Sequence, residues 1–413
     1  MSGQANARFF GGGGKHIRPV DGTKIFIHVE SNSACPGIPG CLTSAIMLNN
    51  IISKGWFCIL TGCLAGIVAP AGLLAAPLPL QVAGNQLLDS HGQPARLRGV
   101  NCASLEWSND GDGHILKTVE VAVKDWHANL IRLPLSQDRW FGKAPGQTDG
   151  GAAYRALVRQ LVDFCAANNA YIILDLHWSD AGEWGKNIGQ HNLPDTNSIT
   201  FWRDLAPVYK DNPAVLFDLY NEPAHVNWDQ WFKGGPITET IEHTNLTLTY
   251  ESVGLPALVN AIRSTGAKNV IVAGGINWAY EVEGILAGRQ LSDPAGNGVV
   301  YAVHPYPHAY PGRGRETIAQ WTARLEAFAQ KLPILATEFG SLESKWAFPK
   351  AWNYNDEKWN REMIDVLEAH HWNWTAWDFH PTAWPCLIAD WDYTPTPHYG
   401  VWVKQALEKN AEK

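Results

Sequence analysis

From Gln81 onward the chain alternates short apolar runs with stretches of helical periodicity, and the runs number eight. They are ARLRGVN (Ala95 to Asn101), ANLIRLPL (Ala128 to Leu135), YIILDLHW (Tyr171 to Trp178), VLFDLYNE (Val215 to Glu222), NVIVAGGINW (Asn269 to Trp278), VVYAVHPY (Val299 to Tyr306), PILATEFG (Pro333 to Gly340) and WNWTAWDF (Trp372 to Phe379). Between them, YRALVRQLVDFCAANN, ALVNAIRSTG and IAQWTARLEAFAQKL carry apolar side chains at helical spacing. Eight β-α units of this size predict an α/β fold of the (β/α)8 TIM-barrel type, about 250 residues plus insertions. A doubly wound open sheet is the alternative. It would show a glycine-rich phosphate loop after its first strand, where this chain has Asn101-Cys102-Ala103. A short N-terminal β-hairpin, LQVAGNQLLDSHGQPARL, is expected before the barrel, with turns at Gly84-Asn85 and His91-Gly92. The tail YGVWVKQALEKNAEK reads as the final barrel helix.

Three regions follow: 1–46, 47–80 and the barrel domain 81–413. The segment from Met47 has one cation, Lys54, then an apolar run from Trp56 to Ala76, and closes on Ala75-Ala76 before Pro77. That is the layout of a secretory signal. A membrane anchor through residues 56–76 is the alternative, because the run approaches spanning length. A signal belongs at an N-terminus, so Met47 is expected to be the true start and residues 1–46 an extension; a peptide from that stretch in the native protein would contradict this. The expected location is secreted or periplasmic.

A chain of 413 residues, 46% of them hydrophobic, has ample core for one large domain. Its net charge of −8 argues against nucleic acid as a partner. Twenty tryptophans exceed ordinary usage and suit either an aromatic core or a groove that stacks on sugar rings. The seven cysteines show no zinc spacing. Cys102 and Cys386 follow the first and eighth runs, which adjoin when a barrel closes, and a disulfide between them is expected.

Barrel enzymes place their catalytic groups at the C-terminal ends of strands. Here those ends read Asn101, Arg132, His177-Trp178, Asn221-Glu222, Asn277-Trp278, His304-Pro305-Tyr306, Glu338 and Trp377-Asp378. Each alone has a plain structural reading, but together they converge on one face. Glu222 closes run four and Glu338 run seven, so they should face one another across the mouth. Two opposed carboxylates suit cleavage of a glycosidic bond. His177 and Trp178 beside Glu222 favour its protonated form. Arg132 and Tyr306 are candidates to hold Glu338 ionised. Glu222 is then acid/base, Glu338 nucleophile, and the Asn221 amide donates to the sugar 2-hydroxyl. A metal-dependent barrel hydrolase would need a His-x-His pair after the first strand, which is absent.

The segments LRGVN, IRLPLS, ILDLHW, FDLYNEP, VHPY, ATEFG and WNWTAWDF, in that order from Arg96 to Phe379, resemble glycoside hydrolase family 5, the cellulase family of clan A. The resemblance implies a retaining mechanism with Glu222 as proton donor and Glu338 as nucleophile. It matches Arg132, His177, Asn221, His304, Tyr306 and Trp377 to the family's other active-site positions, Trp377 being the platform under the attacked sugar. It implies no cofactor and no metal. Trp140, Trp178, Trp184, Trp278 and Trp384 fall on mouth loops, where they could stack on successive glucosyl units. The expected activity is endo-β-1,4-glucanase on a β-linked polysaccharide. An endo-β-mannanase, another β-glucan hydrolase or a non-catalytic glycan-binding barrel are the alternatives. A monomer is expected, with membrane contact only if residues 56–76 are retained.

Overall fold

The computed structural model describes residues 76–241, 246–307, 309–310, 312, 314–341 and 356–411. The extension and nearly all of the signal-like segment, residues 1–75, lie outside the described residues. Among the described residues no helix is long and apolar enough to cross a membrane.

The expected hairpin forms from β1 (Leu80–Ala83) and β2 (Gln86–Asp89), turning through Gly84 in the left-handed region at φ 62°. Then come β3 (Arg98–Asn101), β4 (Leu130–Ser136), β5 (Tyr171–Trp178) and β6 (Val215–Asp218). An antiparallel excursion, β7 (Gly234–Thr240) and β8 (Thr247–Val253), precedes β9 (Ile271–Gly274) and β10 (Val299–Val303). A two-residue pair, β11 (Ala309–Tyr310) and β12 (Gly314–Arg315), leads to β13 (Ile334–Ala336) and β14 (Asn373–Ala376). Eight of these, β3, β4, β5, β6, β9, β10, β13 and β14, form a closed barrel whose last strand pairs in parallel with its first.

The helices that return the chain along the outside are α1 (Ile115–Lys124), α3 (Ala152–Ala167), α4 (Thr196–Tyr209), α6 (Leu255–Arg263), α8 (Ile318–Ala329), α9 (Asp356–Ala369) and α10 (Gly400–Glu408); α2 (Gln137–Trp140), α5 (Trp228–Lys233) and α7 (Ile276–Ala279) are short pieces within mouth loops. Three of the predicted helices are thus α3, α6 and α8, and the predicted last helix is α10.

Side chains alternate between the two faces of a strand, so every second residue points into the barrel. The lower interior is apolar: Leu130, Ile173, Leu216, Val272, Val300, Ala302 and Leu335 form one cluster, into which Leu80 and Leu87 of the hairpin also pack. One step of two residues toward the mouth replaces this layer by polar groups: Arg132, Asp175, Asp218, His304 and Thr337, all fully buried. Gly99 permits the close approach of β3 to β4, since a Cβ there would lie 1.5 Å from the Leu130 carbonyl oxygen.

Several strands end earlier than the apolar runs suggest. β6 stops at Asp218, although the backbone still donates from Leu219 N to Val272 O (3.0 Å) and from Asn221 N to Leu176 O (3.1 Å). The hydrogen bonds to both flanking strands carry Asn221-Glu222 beyond the formal strand end. The expected Cys102–Cys386 disulfide is not formed: both are free thiols. Cys102 is packed in the core between barrel and helices, whereas Cys386 sits half-buried on the loop after β14. Burial also pushes both thiols upward, away from the thiolate that disulfide exchange requires.

Candidate active site

Arg132 is the hub of the polar layer. Its Nε donates to Asp218 Oδ2 (3.0 Å), Nη1 to Glu338 Oε1 (2.6 Å) and Asn101 Oδ1 (3.1 Å), and Nη2 to Asn221 Oδ1 (2.8 Å); Asp175 Oδ2 lies 3.0 Å from Nη2. All three guanidinium nitrogens are engaged, so its orientation is fixed. Burial alone would depress this cation, but the carboxylates of Asp175, Asp218 and Glu338 more than offset that and raise it.

Glu338 lies just beyond β13, with Oε1 on Arg132 and Oε2 accepting from the Tyr306 hydroxyl at 2.7 Å. Both expected donors are in place. Burial pushes Glu338 above the ordinary carboxylate range, opposed by Arg132, His177 and Tyr306. Glu222 faces it. Its Oε1 is 2.8 Å from His304 Nδ1, whose other nitrogen meets Thr337 Oγ1 at 2.8 Å. Burial, and then the charge of Glu338, push Glu222 well above its usual range. The two glutamates lie close together but do not share an environment. Glu338 has a cation and a phenol; Glu222 has an imidazole held neutral, well below its usual range, by burial and Arg132. These surroundings favour the proton on Glu222 and the charge on Glu338.

His177 is 2.6 Å from Asp175 Oδ2 through Nδ1, and its Nε2 accepts from Asn221 Nδ2 at 3.2 Å. Burial, aided by Arg132, depresses it to about 3, so the ring is neutral and Nδ1 carries the hydrogen. Asn221 Nδ2 also donates to Gln190 Oε1 at 3.1 Å. With its carbonyl on Arg132, the Asn221 amide is held at three points.

Trp377 follows β14, is 8% exposed, and stacks near-parallel on His177 with ring centroids 5.4 Å apart. Trp178 and Trp184 are half-buried at the mouth, Trp184 packing edge-on against Phe141. Trp278 lies beside the acid's own loop, its N donating to Pro223 O (3.0 Å) and its ring meeting His225 edge to face; at 6% exposure it offers little open face. Trp140 is not a mouth residue. It is 1% exposed, donates Nε1–H to Asp204 Oδ1 at 2.6 Å and packs edge to face on Phe201. The short helix α2 turns it inward against α4, which closes its face to any sugar.

Among the described residues, Glu222, His304 and Glu338 offer three ligand-type atoms within 4.8 Å of one another. Both oxygens of Glu338 are already held, one of them by a guanidinium, so a cation there would sit against Arg132. The donor set fits proton and nucleophile chemistry better than a metal.

Asp175, Asp218, Thr337 and Gln190 were missed as site residues by sequence reasoning. The first three lie in apolar runs or directly after one, and the two-residue step from Ile173, Leu216 and Leu335 was the available signal. Gln190 lies on a mouth loop with no pattern to mark it.

Fold and site together define a (β/α)8 barrel with an unlike pair of buried carboxyl groups at its C-terminal mouth. The family model for Cellulase (glycosyl hydrolase family 5) matches residues 88–383. The chain belongs to this family. Among characterised proteins it is 24% identical over 341 residues to an endoglucanase of Microbulbifer (79% of this chain, 58% of that one). It is also 24% identical over 309 residues to endoglucanase E-5 of Thermobifida fusca (73% of this chain, 55% of that one). The chain thus spans little more than half the length of these relatives. A solved β-glucanase of Saccharophagus degradans, in complex with cellotetraose, shares the fold with a TM-score of 0.64 at 22% identity, covering 82% of this chain and 95% of that one.

Proposed function

We propose that the protein is a retaining endo-β-1,4-glucanase. The observation that carries this reading is the unlike pair, with one carboxyl oxygen of Glu222 within 4.8 Å of one of Glu338. Retaining glycosidases hold their carboxyl groups about 5–5.5 Å apart, whereas inverting ones leave about 6.5–9.5 Å for a water. The endoglucanase relatives and the cellotetraose bound to the Saccharophagus protein support a β-glucan as substrate.

In the first step a Glu338 oxygen attacks the anomeric carbon while Glu222 gives its proton to the departing glycosidic oxygen, leaving a glycosyl ester on Glu338. Esterification removes the Glu338 charge. That charge, after burial, is what keeps Glu222 protonated, so Glu222 becomes more acidic when a base is needed. Glu222 then takes a proton from water, the water oxygen bonds to the anomeric carbon, and Glu338 leaves as a carboxylate. Asn221 addresses the sugar 2-hydroxyl, and Trp377 underlies the ring. We place the protein outside the cytoplasm on the strength of the signal-like segment.

Activity on carboxymethylcellulose, mixed-linkage β-glucan, mannan and xylan, with the anomer of the first product followed by NMR, tests this. The expected result is fastest hydrolysis of β-1,4-glucan with a β product. Preference for mannan, or an α product, would overturn the substrate or the mechanism respectively.

A further inference from the structure

Gln190 is exposed, on the loop between β5 and α4, and carries no titratable group. Its amide nevertheless touches both members of the Asn221-Glu222 pair. Oε1 accepts from Asn221 Nδ2 at 3.1 Å, and Nε2 donates to the Glu222 backbone carbonyl at 3.1 Å and to His191 O at 3.3 Å. One side chain therefore spans the residue that addresses the sugar and the backbone of the residue that delivers the proton.

The loop bearing Gln190 is itself gripped by the β7–β8 excursion. Glu239 on β7 contacts His191 Nδ1 through Oε1 and accepts from Asn192 N at 2.8 Å through Oε2. The other His191 nitrogen lies 2.6 Å from the Asn187 carbonyl, which only accepts, so Nε2 carries a hydrogen and the ring has one fixed orientation. On β8, Tyr250 OH donates to Leu193 O at 3.0 Å, and Val253 N donates to Pro194 O at 2.9 Å. Asn192 O in turn accepts from Ala224 N at 3.0 Å, which ties the loop to the segment after the acid. The hydrogen bonds run unbroken from the excursion through Glu239 and residues 190–192 to Asn221 and Glu222.

Building on the hydrolase reading, we propose that Gln190 is a positioning residue for Asn221, and that the β7–β8 excursion holds it in place through the Glu239–His191 clasp. Asn221 alone could rotate about its terminal torsion. With Arg132 on its oxygen, and His177 and Gln190 on its nitrogen, only one amide orientation satisfies all three partners. That orientation fixes which face the sugar 2-hydroxyl meets.

A double-mutant cycle on 2,4-dinitrophenyl β-cellobioside tests this, using wild type, Gln190→Ala, Asn221→Ala and the double variant. Loss of Gln190 removes the neutral hydrogen bonds that orient the Asn221 amide, so kcat is expected to fall roughly tenfold. In the Asn221→Ala background the same change should cost less than about twofold, because its target is gone. Glu239→Ala, remote from the sugar, should also lower kcat, and should add nothing once Gln190 is Ala. A merely structural role would lower the melting temperature and would not couple to Asn221. Full kcat in Gln190→Ala, or an equal loss with and without Asn221, would overturn the proposal while wild-type turnover stands. A wild type inactive on every β-glycan would instead sink the hydrolase reading and this inference with it.

Discussion

On the proposed mechanism, two glutamates of identical chemistry take opposite roles because their neighbours differ. Glu338 must be ionised to attack, and Tyr306 helps keep it so. Tyr306→Phe removes a donor that lowers the Glu338 pKa, so that pKa rises, and the acid limb of kcat/KM moves to higher pH. A pH–rate profile with an unmoved acid limb would contradict this role. Glu222 must be protonated, and burial together with Glu338 raises it, so activity falls as pH rises through its pKa. Replacing it removes general acid–base assistance, typically 10²–10⁴-fold. Glu222→Ala should lose roughly that factor on polymer but far less on a dinitrophenyl glycoside, whose leaving group needs no proton. Equal losses on both substrates would argue against Glu222 as the acid. Both glutamates were legible in the sequence, since NEP and EFG stand at the ends of apolar runs. Arg132 and Tyr306 were legible as their ends' polar residues. Asp175 and Asp218 were not, because they count as interruptions within apolar runs until strand register sets them side by side, both within reach of Arg132.

At the scale of elements, the barrel must close where its last strand meets its first. Glu368 on α9 sits at that seam, accepting from Arg98 Nε (2.7 Å) and Nη2 (2.8 Å) on β3 and from Trp374 Nε1 (2.9 Å) on β14. Burial would raise this carboxyl, but the hydrogen bonds from Arg98 and Trp374 more than offset it and hold it at about 2. A folded pKa below the unfolded value of about 4.3 gives stability that is present above the latter and lost as pH falls through the former. Glu368→Gln should therefore cost about 2 kcal/mol at neutral pH and flatten the decline in stability between roughly pH 4 and 2. Chemical denaturation across that range checks it; an unchanged acid profile would show that the seam is held otherwise. The eight barrel strands and their order were readable from apolar periodicity, whereas strand ends and the β7–β8 and β11–β12 pairs were not. Periodicity marks where side chains are buried, and Leu219 to Glu222 stay buried after the regular ladder has ended. The inward turn of Trp140 was invisible for a related reason, since a four-residue helix leaves no periodic trace.

For the whole molecule, the interior divides into a lower apolar plug and an upper polar layer around one cation. The plug sets the fold, and the polar layer sets the chemistry. Asp175, Asp218 and Glu338 contact Arg132, Glu222 lies within its electrostatic reach, and His177 and His304 stay neutral. Burial pushes Asp175 and Asp218 upward, and the Arg132 guanidinium, 3.0 Å from each, opposes that shift. On the proposed mechanism, it is Arg132 that lets Glu338 remain ionised beside a protonated Glu222. The most direct test is to trap the intermediate with 2,4-dinitrophenyl 2-deoxy-2-fluoro-β-cellobioside and locate the label by peptide mass spectrometry. One covalent 2-fluorocellobiosyl group is expected on the peptide containing Glu338, at that residue. A label on Glu222, or turnover with no covalent adduct, would contradict it.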